Sequence, residues 1–537
     1  MSSGTRVSTS AENSVAYING RVYTVNKSSP WAEAFIVMPE GKFGTIGSTT
    51  QIRDIAEAAG MVVYDLHQAF IMPGIHDAHV HALHAGAQML SWAELPAGTA
   101  LDQTPKRLAE CACACQFQHA YQDWIVGAVW NFEDYDRSVL DKDFPDRPVL
   151  LHGYGFHHRF ANTTALERAG YDIKDEPVPK HGEMPRRPDG SLTGELKGQA
   201  GNRATAAVPV PPMAHVKRAL QRATKELHRN GVTSCQEASA TKVMLEALGE
   251  LDTEGKLKMH FATHILYKNE WLSGEIMSPP DRLIMDAEKY KTKHVDTGFV
   301  KLMMDGVPAP PVFSHASVDE NGTPDMSKIL LPDIEEVLSK FDARGLTCKV
   351  HAMGHGASTM TLDAFENVRQ KNPDGPRHEI AHCSNILPGD FARFNELKIT
   401  AEMSPAGFFD YEKTGLDMPL IDWDFERMVE AKNYVTIGSD WVYGMTLPML
   451  PAVDIVARKV GAEKTLEMIT LAGARATNRE EDSGSIETGK VASFISVDRD
   501  LTQGGFEKAQ VMKTWFEGEL VYENREYLYQ CLSKELV

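Results

Sequence analysis

The stretch PGIHDAHVHALHAG, residues 73–86, sets His79 and His81 two positions apart behind an apolar run and a Pro-Gly break, with Asp77 beside them. In an extended strand alternate side chains leave the same face, so both imidazoles are aimed at one point. Two nitrogens at one point suit a divalent metal ion. A complete metal site needs further donors, and the rest of the chain must fold so as to bring them there.

The middle of the chain supplies the elements. Eight apolar, β-rich runs alternate with helical patterns: IMPGIHDAHVH, GVTSCQEA, LKMHFATHIL, TGFVKLMMDG, LTCKVHA, HEIAHC, KITAEMSP and YVTIGSD. Segments such as VKRALQRATKELHRNG and LPDIEEVLSKFDARG between them carry helical spacing and end on Gly or Asn. Alternation of this kind predicts an α/β fold, a TIM-like (β/α)8 barrel. Barrel sites form at the C-terminal ends of the strands. There the sequence places His79 and His81 on the first strand, Lys301 on the fourth, His351 on the fifth, His382 on the sixth and Asp440 on the eighth. Taken singly, each has a plainer reading, as a satisfied core histidine or a strand-end lysine reaching solvent. Six such residues at equivalent places on five strands are a site.

Neutral imidazole and carboxylate suit Zn²⁺, with Mn²⁺ and Fe²⁺ also compatible. Lys301 is unfavourable as an ammonium beside cations. A neutral amine that has reacted with carbon dioxide gives instead a carbamate, able to bridge two ions. Bound Zn²⁺ lowers the pKa of water to about 7, and Asp440 can take that water's proton and pass it to a leaving nitrogen. The expected chemistry is hydrolysis of a C–N bond.

Composition narrows the partners. With 537 residues, 42% hydrophobic and 24% charged, the chain is an ordinary globular one. Its net charge of −19 opposes binding to nucleic acid or to anionic membranes. Seven cysteines without small-scaffold spacing argue against a disulfide framework, and neither a secretory signal nor a run of about 18 apolar residues is present. A cytoplasmic protein with a small-molecule substrate is expected, a homodimer being the default for its size. Cys111, Cys113 and Cys115 lie in a helix-like segment where their spacing shares no face, so packing is preferred to metal binding.

Short strands with Gly turns at both ends predict one β-sandwich from residues 1–72 and 484–537, with the hydrolase barrel at 73–483. An inserted subdomain spans about 85–225, and the Pro/Gly/Ser-rich stretch 307–332 is a candidate lid.

The motifs PGIHDAHVH, HHRFANTTAL, GVTSCQEA, VKLMMDG, KVHAMGHGA, IAHCS, IGSDW, LAGARATN and GSIETGKVASF fall in one order over nearly the whole length. In this the chain resembles the metal-dependent amidohydrolase superfamily, in the amidohydrolase 3 branch of YtcJ-like proteins and N-substituted formamide deformylases. The resemblance implies two ions held by His79, His81, His351, His382 and Asp440, bridged by carboxylated Lys301, with Asp440 as catalytic acid and base. It also implies that His157 lies near the substrate and that Asp305 supports the site, a turn or cap role for Asp305 being equally open. For His158, Trp130, Phe313 and Trp441 both pocket wall and plain core stay open, and for His260 and His264 the structural reading is preferred. Three positions depart from the pattern: Gly198 replaces a glutamate, Ser493 an aspartate, and Glu237 an aspartate. Rival functions on the same scaffold are ring deamination with one metal and an unmodified Lys301, metal-dependent decarboxylation, and a non-catalytic binding or scaffold role.

Overall fold

The computed structural model describes residues 14–95, 98–114, 118–129, 132, 134–153, 157–268, 279–308, 313–405, 423–442 and 449–525. Eight parallel strands form its central sheet: β1 (Ile75–Val80), β2 (Val232–Ala240), β3 (His260–Leu266), β4 (Val295–Met303), β5 (Thr347–Ala352), β6 (Glu379–His382), β7 (Thr400–Met403) and β8 (Tyr434–Ile437). They neighbour one another in chain order. The seam between last and first is joined at its C-terminal end by a bridge from Val80 to Trp441. There Asp440 N–H donates to His79 O at 2.8 Å, and His81 N–H to Trp441 O at 2.9 Å. The predicted α/β barrel is the observed one, and each strand overlaps the run expected for it.

Strands β1, β3 and β5 are buried along their whole length, as strands in a parallel sheet with both faces covered must be. The outer cover includes the amphipathic helix Met213–Arg229, whose Val216, Ala219, Leu220, Ala223 and Leu227 recur at helical spacing and turn inward. That helix packs on Ala82–Ser91, which follows β1 directly. The barrel interior is partly polar. Lys349 on β5 donates to Ala78 O and to the Gln236 side chain, lies 3.6 Å from Glu379, and is fully buried. Glu379 also meets His264 Nε2 at 3.3 Å, which gives His264 a structural partner.

Both chain ends meet in a six-stranded sheet. Phe70–Pro73 pairs antiparallel with Phe494–Val497, and Val511–Phe516 and Glu519–Glu523 extend it. A four-stranded sheet from residues 15–65 faces it across a core of Tyr17, Phe35, Phe43, Phe494 and Trp515. Within the same region lies a helix that the short strands expected over residues 1–72 do not include, Thr49–Ala59. Ser48 caps its first turn by accepting from Gln51 N, and Gly60 ends it.

A separate six-stranded sheet occupies the long connection between β1 and β2. Its strands run from Ala93–Glu94 to Glu195–Gly198, so the helices Ala82–Ser91 and Met213–Arg229 belong to the barrel layer rather than to the insertion. Within 307–332, Ala316, Ile329 and Leu331 are buried, and Leu330 N–H donates to Met304 O at 2.9 Å. Among the described residues no helix is long and apolar enough to cross a membrane.

Candidate metal centre

Six side chains predicted from strand ends converge at the C-terminal mouth of the barrel. His81 Nε2 lies 3.3 Å and His79 Nε2 3.7 Å from Asp440 Oδ1, and Lys301 Nζ is 3.3 Å from His79 Nε2. His382 Nε2 faces His351 Nδ1 at 3.0 Å, while His382 Nδ1 is 3.9 Å from Asp440 Oδ2. His79, Lys301 and His382 are at most 3% exposed, whereas the Asp440 side chain is 23% exposed and opens toward the mouth.

Hydrogen-bond logic assigns the tautomers. Ser239 Oγ gives its proton to Glu237 Oε1 at 2.9 Å, so at 2.7 Å it accepts from His81 Nδ1–H. Glu402 Oε2 accepts from His79 Nδ1–H at 2.7 Å. Ser404 Oγ donates to Glu402 Oε1 at 2.5 Å and accepts from His382 Nδ1–H at 3.3 Å. The Gly306 carbonyl can only accept, so His351 Nε2 is its donor at 3.0 Å. Every imidazole thus turns a bare lone pair inward: Nε2 of His79, His81 and His382, and Nδ1 of His351. Lone pairs and a carboxylate oxygen packed this closely repel one another unless cations lie among them, so the donor set fits a divalent-metal centre.

The electrostatics agree. Burial, reinforced by the Lys301 ammonium, lowers the His79 imidazole well below its ordinary range, and His351 and His382 are lowered for the same first reason. All three are neutral, the state in which imidazole binds metal. Burial also lowers the Lys301 ammonium, with Lys349 adding to the effect, and raises the Glu402 acid. Lys301 is thereby moved toward a free amine.

The local sequence explains the placement. Asp77 points into the barrel, and its Oδ1 accepts from His79 N at 3.1 Å and Ser439 N at 2.8 Å, tying β1 to the loop after β8. Gly438 is required there, because a Cβ would stand 2.4 Å from His79 Cβ and 2.7 Å from Glu402 Oε1. Asp440 (φ 51°) and His382 (φ 75°) occupy the left-handed region that non-glycine residues seldom adopt. Two of the converging residues thus carry backbone strain.

The remaining predicted residues are distributed around this centre. Asp305 is fully buried, and its carboxylate accepts from Ala316 N, Met353 N and Gly354 N at 2.8–3.0 Å, pinning 307–332 to the end of β5. Burial, with the Arg159 charge adding to it, lowers His157 to about 4 against the opposing pull of Asp440. His158 is buried on the insertion strand His158–Ala161. Trp441 is buried in the barrel core, Phe313 is 45% exposed, and Trp130 lies outside the described residues. Cys111 is half-buried against the insertion core, while Cys115 and the side chain of Cys113 are outside the description.

Glu402, Ser239 and Ser404 are not among the residues that the strand ends predict. A signal was present: Glu237-Ala-Ser239 and Glu402-Met-Ser404 repeat an E-x-S pattern at the ends of β2 and β7, with both side chains on one face. Each copy orients one or two of the histidines. Glu237 also accepts from Ala82 N at 2.7 Å, capping the helix that starts beside His81.

Residues 62–522 match the model of the amidohydrolase family. N-substituted formamide deformylase of Arthrobacter pascens is 26% identical, over 94% of this chain and 98% of its own. Protein LONG AFTER FAR-RED 3 of Arabidopsis thaliana is 25% identical over 94% and 91%, and the putative amidohydrolase YtcJ of Bacillus subtilis 24% over 94% and 98%. An uncharacterized metal-dependent hydrolase of Pyrococcus horikoshii shares the fold with a TM-score of 0.73 at 20% identity, covering 92% of this chain and 99% of that one. The chain belongs to the amidohydrolase family, enzymes that act on C–N bonds.

Proposed function

We propose that the protein hydrolyses a non-peptide C–N bond of a small molecule, an N-acyl or N-formyl amide or a cyclic amide. The observation that carries this reading is the inward convergence of four imidazole lone pairs beside Asp440 and Lys301. His79, His81, His351, His382 and Asp440 would hold two divalent ions, Zn²⁺ by preference, with Lys301 bridging them as a carbamate. Such ions supply an acidified water and polarise a carbonyl oxygen.

The chain's own residues do the rest. Asp440, the most exposed carboxylate of the centre, takes a proton from the attacking water and returns it to the departing nitrogen. Glu402, Ser404, Ser239 and the Gly306 carbonyl fix the four rings, so no reorganisation is needed when the substrate arrives. In this reading His157, held neutral by burial, donates a hydrogen bond to the substrate.

The test is a metal count on purified protein together with release of acid or formate from a panel of amides, for the wild type and Asp440→Asn. Two ions per chain, turnover of an amide, and its loss in Asp440→Asn are expected. One ion with an unmodified Lys301 and release of ammonia from a ring would point to a deaminase instead. Absence of turnover at full metal loading would overturn the reading.

A further inference from the structure

Beside the centre lies a cavity of about 160 Å³, walled on one side by the insertion and on the other by the 307–332 stretch. It shares His157 and Gly306 with the surroundings of the four histidines, so it continues the site outward. Its charge is unlike that of the protein as a whole. In a chain of net charge −19, this one chamber gathers Arg159, Lys180, Lys197 and Lys328.

The nearby carboxylates leave two of them, Lys180 and Lys328, without an ion pair, although Asp325 feels the Lys328 charge. Asp305 at the floor has both oxygens taken by backbone N–H groups. Glu183 points largely to solvent, at 68% exposure, and touches Lys197 only at 3.7 Å, the same distance at which Glu195 does. Among the described residues Lys180 and Lys328 form no ion pair with any carboxylate. Their charges reach the same spot, since both ammoniums add to the lowering of His181, whose first cause is burial.

Gly198 keeps the wall neutral and open. Its backbone is left-handed (φ 55°), and a Cβ would stand 2.5 Å from the His181 carbonyl oxygen, so no acidic side chain can be accommodated there without moving the strand. Unpaired cations facing a half-enclosed cavity hold a standing attraction for an anion, and low-dielectric walls strengthen it.

We propose that this chamber receives a carboxylate on the substrate. The substrate class is then an acylated or formylated amine, or a cyclic amide, that carries a carboxylate away from the scissile bond. Lys180 and Lys328 are its specificity-determining residues, and the inference rests on the centre being a C–N hydrolase.

The test compares N-formyl-6-aminohexanoate with its methyl ester on zinc-loaded full-length protein. A preference in kcat/KM of at least about tenfold for the carboxylate is expected, expressed in KM and weakened by salt. The Lys180→Gln/Lys328→Gln double variant should bring that ratio toward one. The Lys180→Glu/Lys328→Glu variant should turn preference toward N-formyl-1,6-diaminohexane, whose tail is cationic. Equal use of acid and ester by the wild type, or a ratio untouched in the double variant, would overturn the proposal.

Calorimetry of adipate against adipamide separates the two readings. If no amide is turned over but adipate binds about tenfold more tightly than adipamide, and only while both lysines are present, the chamber stands and the hydrolase reading fails. If amides are turned over but adipate binds no better than adipamide, the chamber proposal alone is wrong.

Discussion

At opposite ends of the barrel sit two groups of histidines and carboxylates that look alike in composition. One is the centre at the strand C-termini. The other, at the N-terminal ends, joins His260 at the start of β3, His294 just before β4, and Glu517 in a turn of the terminal sheet. In the lower group every donor already has an acceptor. Glu517 accepts from His294 Nε2 at 3.0 Å and from Lys293 Nζ at 2.5 Å, His294 Nδ1 meets Asp252 at 2.6 Å, and His260 Nε2 lies 3.5 Å from Glu517 Oε1. Although burial raises the Glu517 acid, hydrogen bonds from His260, His294 and Lys293 outweigh it and hold the carboxyl far below its usual range. The upper group is arranged the other way, with its protons turned outward to Glu402, Ser239, Ser404 and Gly306. What separates a latch from a metal centre is the direction in which the imidazoles point their protons, not the residue types.

The comparison breaks most visibly in turnover. Asp440→Asn should lower kcat by about 10²–10⁴-fold, while Glu517→Gln at the other end leaves it at the wild-type value; steady-state rates on one amide decide. Next in size, Glu402→Gln removes a ring-orienting acceptor and should weaken metal binding by about 10–100-fold, whereas Asp252→Asn should not change it. Competition with a chelator measures both.

Stability responds in the opposite sense. Glu517→Ala leaves His260, His294 and Lys293 without their common acceptor and should cost about 1–3 kcal/mol in urea unfolding. Partial solvent access to Glu517 keeps the loss toward the lower figure. Acid sharpens the same point. Burial holds His260 at about 4, so below its ordinary value of 6.5 the unfolded chain binds a proton that the folded one refuses. Its contribution to stability is present above pH 6.5 and declines as the pH falls toward 4. His260→Gln should remove up to about 1.4 kcal/mol per pH unit of that slope, read from unfolding midpoints at pH 7, 5.5 and 4.5. The smallest effect belongs to the upper group: in metal-free protein Asp440→Asn should stabilise by about 0.5–2 kcal/mol, because its amide can donate to the bare Nε2 of His81. Destabilisation there would count against the tautomers assigned above.

The parts of this arrangement that could be read from sequence are those with local spacing. His79 and His81 announce themselves because i and i+2 in a strand share a face, and the alternation of apolar runs and helices gives the barrel. Lys301, His351, His382 and Asp440 follow once strand ends are compared. Glu402 was missed because in TAEMS a glutamate reads as a solvent-facing strand residue, and only closure of the barrel turns it onto His79. The helix Thr49–Ala59 was missed because strand and turn signals surround it, although Ser48 and Gly60 mark both its ends. For Phe313 the sequence leaves pocket wall and core open, and at 45% exposure it is not core; aromatic character alone carries no direction.

One feature of the terminal sheet bears on how the protein is made. One edge of Phe70–Pro73 pairs with the early strand Arg21–Tyr23, but the other meets Phe494–Val497 only after some four hundred intervening residues have left the ribosome. Until then an apolar strand edge waits open, an invitation to wrong pairing that chaperones must shield. Shortening the chain before residue 494 would therefore strand that edge for good, and loss of yield in the cell would precede any loss of catalysis.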